Sequence, residues 1–383
     1  MKTDFLIIDA GPFGLAIAAQ AQHDKIDHLI AGKPMEFWRA NMPKGMFLRS
    51  ACDWHLDPQN VHTIEAYLQS QGKTPHDVEP LSLDFYLTYT HWFQQQKNIQ
   101  SLPVYIQRLD RSNDDFIATT VEDEIIKANQ VVLAPGFRHF VHIPEDLKAK
   151  LPAGNYQHTC EYVDFSDAET KRYLIIGGRQ SAFEWAALLL EAGARAVHLS
   201  HRHASPAFAV ADWSWVKPLV DHMVDDPNWF RHLSQKEKDD ISYHMWSEGR
   251  LKIEPWLEPR LSDDRVKLWP QTELVSCFAN KSGEFEVTLS NGEALTVDKL
   301  VLATGYKVDI TRLPLLSGGN LIEQLETRNG FPVLDDHFET SVPGLFITGM
   351  PAMQDFGPFF GFTNSVRTSA QLICRRIARR IAD

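Results

Sequence analysis

The N-terminal stretch DFLIIDAGPFGLAIAAQA runs in blocks: an unbroken apolar segment, a short turn containing glycine, then a second segment of small apolar residues. This pattern predicts a buried strand from Phe5 to Ile8, turn glycines Gly11 and Gly14, and a helix from Phe13 to Ala21. KRYLIIGGRQSAFEWAALLLEAGARAVHLSHR repeats the plan, with a strand from Tyr173 to Ile176, a Gly177-Gly178 turn, a helix from Ser181 to Glu191 and a strand from Ala196 to Leu199. Each is a βαβ half of a dinucleotide fold, in which the free N–H groups and dipole of the helix N-terminus stabilise a pyrophosphate. Two such units imply two nucleotides.

Between them the pattern changes. After a strand from Asp27 to Ala31, the segment Pro34 to Pro58 is too irregular for one helix. It reads either as a loop over a cofactor ring or as a core-filling loop packed through Met46, Phe47 and Trp54. Leu83 to Lys97 reads as a helix with Phe85, Tyr89, Trp92 and Phe93 on one core-facing stripe. Strands at Val104–Leu109, Phe116–Val121 and Glu124–Ala128 form a small antiparallel sheet, and a buried strand from Val131 stops at Pro135-Gly136.

Ala204 to Pro270 is helical and aromatic, either an insert that shapes a substrate site or bridges domains, or a helical cover on the second unit. Strands Thr272–Phe278, Glu284–Leu289 and Ala294–Val297 lead to an apolar run at Lys299, where the chain is expected to re-enter the first unit. Thr363 or Asn364 caps a last helix that runs to about Arg380, whose arginines complement its negative pole.

Length and composition narrow the class. The 383 residues suffice for two or three domains, and 44% hydrophobic with 23% charged residues is ordinary for a globular protein. A net charge of −12 disfavours a nucleic-acid surface. No run of about 18 apolar residues suggests a membrane span, and the first apolar stretch, broken at Asp9, is too short for a signal peptide, so a cytoplasmic protein is expected. Cys52, Cys160, Cys277 and Cys374 form no CxxC, which disfavours a zinc site or a dithiol redox centre. His198, His201 and His203 lack a partnering Cys or carboxylate pattern, so no metal site is expected.

Before the second unit stands GNYQHTCEY, with Gly154, His158 and Tyr162 at the spacing G-xxx-H-xxx-Y; KLVLATGY, Lys299 to Tyr306, and PGLFITG, Pro343 to Gly349, follow in order. This ordered set resembles the class B flavoprotein monooxygenases, the flavin-containing and N-hydroxylating monooxygenases with their Baeyer–Villiger relatives. The pattern of that family begins with Phe two residues before the Gly, where this chain has Pro152. The resemblance implies an α/β fold of two Rossmann-like domains. A glutathione-reductase-like FAD domain (1–166 and 296–383) is interrupted by an NADP domain (167–295) that carries the helical insert at about 204–270.

It also implies an FAD-dependent oxidoreductase that uses NADPH and molecular oxygen to oxygenate a small amine, sulfide or carbonyl substrate through a flavin hydroperoxide. No nucleic-acid or membrane partner is implied, and a homo-oligomer stays open. The cofactor carries most of such chemistry, which explains why no acid–base constellation stands out. Gly11, Gly14 and the Ser50 to Asp53 loop would hold FAD, with further cofactor contacts at Pro12, Phe13, Arg49, Ala134, Gly136, Thr304, Gly305, Gly349 and Thr363. Gly177, Gly178, Arg179, Gln180, Ser181 and Arg202 would hold NADPH, Arg202 meeting the 2′-phosphate.

Four departures bear on that assignment. Asp9 stands where the fingerprint has its first glycine, and Ala31-Gly32-Lys33 lacks the acid expected for ribose hydroxyls. Arg179 replaces the middle glycine of the second unit and would either pair with phosphate oxygens or block the cofactor. The stretch SACDWHLD lacks the asparagine that steadies the hydroperoxide in the family, leaving Asp53 or His55 as candidate catalytic substitutes. Two alternatives therefore stand beside the monooxygenase: an FAD-dependent reductase or oxidase with an altered nicotinamide site, and a flavin-binding protein without turnover.

Overall fold

Strand β1 (Lys2–Ile8) is buried from Phe5 onward, and helix α1 (Pro12–His23) can lie close against it because Ala16, Ala18 and Ala19 leave no bulk at the contact. The computed structural model describes residues 1–382. Strand β2 (His28–Ala31) pairs with β1 in parallel, completing the first βαβ unit. Helix α2 (Leu83–Lys97) is capped by the Ser82 hydroxyl, which accepts from the Phe85 N–H at 3.1 Å. Its aromatic stripe packs inward: Tyr86, Tyr89 and Phe93 are fully buried, and Trp92 lies 5.1 Å from the Tyr67 ring.

Strands β3 (Ile106–Ser112), β4 (Asp115–Thr120) and β5 (Ile125–Leu133) are antiparallel neighbours, and β5 also pairs in parallel with β1, so the sheet order is β2-β1-β5-β4-β3. The two segments expected at Glu124–Ala128 and from Val131 are one strand. Its first half alternates exposed and buried positions at the hairpin edge, and its second half, between β1 and the C-terminal strand, is buried throughout.

The second sheet is wholly parallel. Strands β6 (Gln157–His158), β7 (Arg172–Ile176) and β8 (Ala196–His201) surround helix α3 (Gln180–Glu191). Helix α4 (Gln235–Trp246) precedes β9 (Val266–Pro270), then the antiparallel meander β10 (Leu274–Ala279), β11 (Phe285–Leu289) and β12 (Ala294–Val297), and finally β13 (Lys299–Leu302). The order is β9-β8-β7-β13-β6. Two segments assigned by sequence to the first unit, Gln157–His158 and Lys299–Leu302, therefore belong to this sheet. An apolar strand fits either sheet by pattern, and here Leu300 and Leu302 are held by packing against the meander.

The chain returns with β14 (Leu345–Ile347), parallel to β5, and ends in helix α5 (Val366–Ala382), which packs along α1. The insert bridges the two units. Val216, Val220, Met223, Phe230 and Met245 join the core of the first, while Ile253 and Leu257 join that of the second.

Candidate functional site

Three glycine turns meet at the carboxyl edge of the first sheet, since Ile8, Leu133 and Ile347 lie in register on adjacent strands. Gly11 caps α1 without a side-chain partner, leaving the first-turn N–H groups free, and Pro12 occupies the first helical turn, where a missing N–H costs nothing. A Cβ on Gly14 would overlap the Asp9 carbonyl oxygen, so only glycine lets α1 start this close to β1. Gly136 (φ +56°) and Gly349 (φ +75°) turn the chain after β5 and β14, and the Ala134 N–H reaches the Ile8 carbonyl at 3.0 Å. The Phe13 ring covers Gly349, 3.7 Å from where its Cβ would be.

Free amides over a glycine edge are the groups a dinucleotide pyrophosphate needs, and in this respect the residues fit FAD. Asp9 is the group that opposes it. Its backbone holds the left-handed region that glycine would prefer (φ +85°). Burial pushes its carboxyl up to about 6, the Glu36 charge adds to this, and the Gly11 and Ala10 N–H groups act the other way.

Two side chains that flank the Ser50–Asp53 loop are bonded to distant parts of the chain. Arg49 is spent on the insert: its Nε donates to Glu254 at 2.6 Å, its Nη1 and Nη2 to the carbonyls of Gly249 and Glu248 at 2.8 and 3.1 Å, and its guanidinium lies 5.4 Å from the Trp213 ring. These bonds tie the loop to the insert. His55 is likewise committed, because Arg367 donates to its Nε2 at 2.5 Å. Burial, then the Arg367 charge, lowers the ring to about 3, which removes it as a proton donor at neutral pH. Asp53 stays half-buried beside the loop, its carboxyl raised by burial against the lowering influence of Arg367 and Lys217. Trp54, next in the chain, forms an aromatic wall with Trp213 and Phe362, with ring centroids 6.2 and 6.5 Å away.

At the second turn, Gly177 (φ +145°) donates its N–H to the Ser200 carbonyl at 2.9 Å, and a Cβ on Gly178 would overlap the His201 ring. Arg179 caps α3 without a side-chain bond to it. Its guanidinium instead donates to the Arg250 carbonyl and lies 5.5 Å from the Trp246 ring, turned outward onto the insert. Gln180 accepts from the Glu254 N–H at 3.1 Å, fastening the same strap, while Ser181 is exposed. Arg202 is exposed at the end of β8, and its charge, with that of Arg250, lowers Arg179 after burial does. This cationic edge fits a phosphorylated nucleotide.

The remaining positions make hydrogen bonds within the chain. Thr304 donates its hydroxyl to the His142 carbonyl at 2.5 Å, and the carbonyl of Gly305 (φ +77°) accepts from the His142 N–H at 2.9 Å. His158 is fully buried, lowered by burial to about 4, and its carbonyl accepts from Glu161 and Tyr162 in a tight turn. Tyr162 donates to Asp167 at 2.9 Å and pairs with Tyr173. The four cysteines are free and buried.

Two buried residues escaped assignment by pattern. Asn364, named only as one of two possible caps, is 3% exposed, and neither its amide oxygen nor its nitrogen has a partner among the described residues; the adjacent Thr363 hydroxyl also lacks one. Arg367 carried no signal either, since its partner lies 312 residues away.

Comparison with known proteins agrees with this architecture. Residues 6–238 match a family described as pyridine nucleotide-disulphide oxidoreductase, and residues 245–356 match a second model of the same description. A ferredoxin–NADP reductase of Thermus thermophilus is 28% identical over 255 residues, covering 66% of this chain and 62% of that protein, so the aligned region spans less than two thirds of the relative's length. Among solved structures, the ornithine N-hydroxylase of Kutzneria sp. 744 superposes with a TM-score of 0.82 at 17% identity, over 100% of both chains. The ornithine hydroxylase of Pseudomonas aeruginosa gives 0.78 at 18%, again over 100% of both. At such identities the likeness establishes the two-domain fold of FAD- and NADP-binding enzymes. With the family match spanning more than half its length, this chain belongs to the pyridine nucleotide-disulphide oxidoreductase family.

Proposed function

We propose that the protein is an FAD-dependent, NADPH-using monooxygenase that oxygenates a small nucleophilic nitrogen, sulfur or carbonyl substrate. The observation that carries this reading is the superposition on ornithine N-hydroxylases over the full length of both chains. When bound, FAD supplies the redox chemistry, taking a hydride from NADPH and activating oxygen. The chain's own tasks are to bind, orient and exclude water. The first-turn N–H groups of α1 hold the pyrophosphate, Arg202 reads the 2′-phosphate, and the wall of Trp54, Trp213 and Phe362 keeps the region beside Asp53 dry. Asp53, rather than His55, is the group with a carboxyl free to hold or pass a proton there.

A second reading, an FAD-dependent reductase, draws on the similarity to ferredoxin–NADP reductase. One experiment separates the two. The purified protein is loaded with FAD, NADPH is added without oxygen while the 450 nm band is followed, and air is then admitted with an amine or sulfide. Bleaching followed by substrate-dependent NADPH consumption and an oxygenated product supports the monooxygenase. Bleaching with electrons passing only to an added acceptor such as ferricyanide supports the reductase, and a flavin that stays oxidised overturns both.

A further inference from the structure

Helix α4 ends in a wide π-helical turn, Ser247–Leu251, a local geometry that recurs at functional sites. Both units hold the backbone of this turn. Arg49, from the first unit, donates to the carbonyls of Glu248 and Gly249, and Arg179, at the start of α3, donates to that of Arg250. The Glu248 carboxylate accepts from Lys252 and from the Asp212 N–H, both at 2.6 Å.

The Arg250 guanidinium, by contrast, has no hydrogen bond and no ion pair among the described residues. The protein around it lowers it, the Arg49 charge adds to this, and no carboxylate acts the other way. Its surface is nevertheless exposed. A group crowded by protein and still open to solvent lies in a cleft, and because its charge acts on Arg179 as well as meeting that of Arg49, the cleft is the one between the units. In a chain of net charge −12 an uncompensated cation in a cleft draws anions to it.

The same turn meets the aromatic wall. A Cβ on Gly249 would lie 3.4 Å from the Trp213 ring, and Trp213 stands against Trp54 and Phe362, the last of them 39% exposed, so the wall reaches solvent. An apolar wall with one charged group beside it has the make-up of a small-molecule site. Nucleotide phosphates are already served by Arg202 and the free N–H groups at the start of α3, whereas Arg250 stands on the insert next to the wall. A guanidinium fork matches a carboxylate with two parallel hydrogen bonds.

We propose that Arg250 is a specificity-determining residue that binds a carboxylate on the substrate, remote from the atom that is oxygenated, so that the enzyme selects anionic over neutral small molecules. This rests on the monooxygenase reading above and adds to it the charge class of the substrate and the residue that reads it.

The test uses the FAD-loaded protein and probes that differ only in charge: 4-aminobutanoate, 6-aminohexanoate and 3-(methylthio)propanoate, each against its primary amide. Binding is followed by tryptophan fluorescence, and product formation with NADPH and oxygen by mass spectrometry. Wild type is expected to bind at least one carboxylate tenfold or more tightly than its amide. Arg250→Gln is expected to lose tenfold or more for that carboxylate, to bind the amide as wild type does and to keep its NADPH dissociation constant within twofold. Because the guanidinium makes no bond within the chain, Arg250→Gln is expected to melt no lower than wild type, which separates lost recognition from misfolding. Should it fail to fold, Arg250→Lys, which keeps the charge but not the fork, is expected to show a reduced preference. A wild type that binds no carboxylate better than its amide, or a preference that survives in Arg250→Gln, overturns the assignment alone. NADPH binding weakened tenfold in Arg250→Gln with no change toward the carboxylates also overturns it, and gives the guanidinium to a nucleotide phosphate. Carboxylate binding that depends on Arg250 but yields no oxygenated product supports the anion site and overturns the monooxygenase reading.

Discussion

Arg367 donates its Nη1 hydrogen to the Nε2 of His55 across 2.5 Å. A ring that accepts from a guanidinium holds no second proton, so His55 is neutral in the folded protein, lowered to about 3 from an unfolded value of 6.5. The unfolded chain therefore binds this proton more readily. The stability contributed by the neutral ring is complete above pH 6.5 and is lost as pH falls from there toward 3, by on the order of 3–5 kcal/mol. His55→Gln, which keeps an acceptor for Arg367, is expected to flatten the acid limb of a melting-temperature profile and to leave stability near pH 8 within about 1 kcal/mol of wild type. The pH–rate profile of the wild-type enzyme is expected to show no limb from this histidine.

Asp9 acts in the opposite direction. Its folded value, about 6, lies above the unfolded 3.8, so folding favours its protonated form. Below about pH 4 the group is protonated in both states and costs nothing; between about 4 and 6 the unfolded chain has lost the proton that the folded turn keeps, so the penalty grows, and above 6 it is constant. Allowing for its partial exposure, that penalty is on the order of 2 kcal/mol, to which the left-handed backbone adds about 1. Asp9→Gly is thus expected to raise the melting temperature at pH 7.5 and to have a smaller effect at pH 4.

The same carboxylate makes flavin binding proton-linked. A bound pyrophosphate raises Asp9 further, so between the free and bound values FAD affinity is expected to fall with rising pH by up to about tenfold per unit. Asp9→Asn removes the slope while keeping the side chain's size. Titrations of FAD into wild type and Asp9→Asn between pH 5.5 and 8.5 check this; parallel curves sink it.

What could be read from the sequence was what depends on neighbours a few residues apart. Gly14 and Gly178 were legible because a backbone that must approach a strand or a ring leaves room for no Cβ, and the aromatic stripe of α2 was legible because helical spacing puts it on one face. Partnerships between distant residues were not. Arg49 stood among the cofactor contacts by its place beside the loop, and nothing near it in sequence pointed to Glu254, 205 residues on, which takes its guanidinium. Lys299–Leu302 has the apolar pattern of a strand in either sheet, and the meander before it decides which. Asn364 gave no signal because a helix-start asparagine ordinarily caps, and only its burial without a partner sets it apart.

Arg179 and Arg202 divide the work at the second turn. Arg179 is drawn off to the Arg250 carbonyl and the Trp246 ring, whereas Arg202 is exposed at the end of its strand, where the 2′-phosphate of NADPH would distinguish it from NADH. Arg202→Ala is expected to lower the preference for NADPH over NADH by tenfold or more, on the order of the 1.5–3 kcal/mol of a charged hydrogen bond. Arg179→Ala is expected to leave that preference unchanged and to free the insert, so that trypsin cleaves after Arg250 faster than in wild type. Dissociation constants for both nucleotides and a digestion time course read the two effects separately.

Gly14 and Gly11 are both part of the first fingerprint, yet the structure gives them different reasons. A Cβ at Gly14 overlaps a backbone carbonyl that no rotamer change can move, so Gly14→Ala must push α1 away from β1. Such overpacking costs typically 1–3 kcal/mol or more, and a loss of several degrees in the melting temperature of the FAD-free protein is expected. At Gly11 the backbone is extended (φ −75°, ψ −171°), and the nearest atom to an added Cβ is an Asp9 oxygen at 3.9 Å. Gly11→Ala is therefore expected to melt within about 1 °C of wild type, because only open space receives the methyl group. That space is where a pyrophosphate would approach the free N–H groups of α1, so the same variant is expected to lose tenfold or more in FAD affinity. If Gly11→Ala bound FAD as wild type does, the pyrophosphate would not lie over this turn.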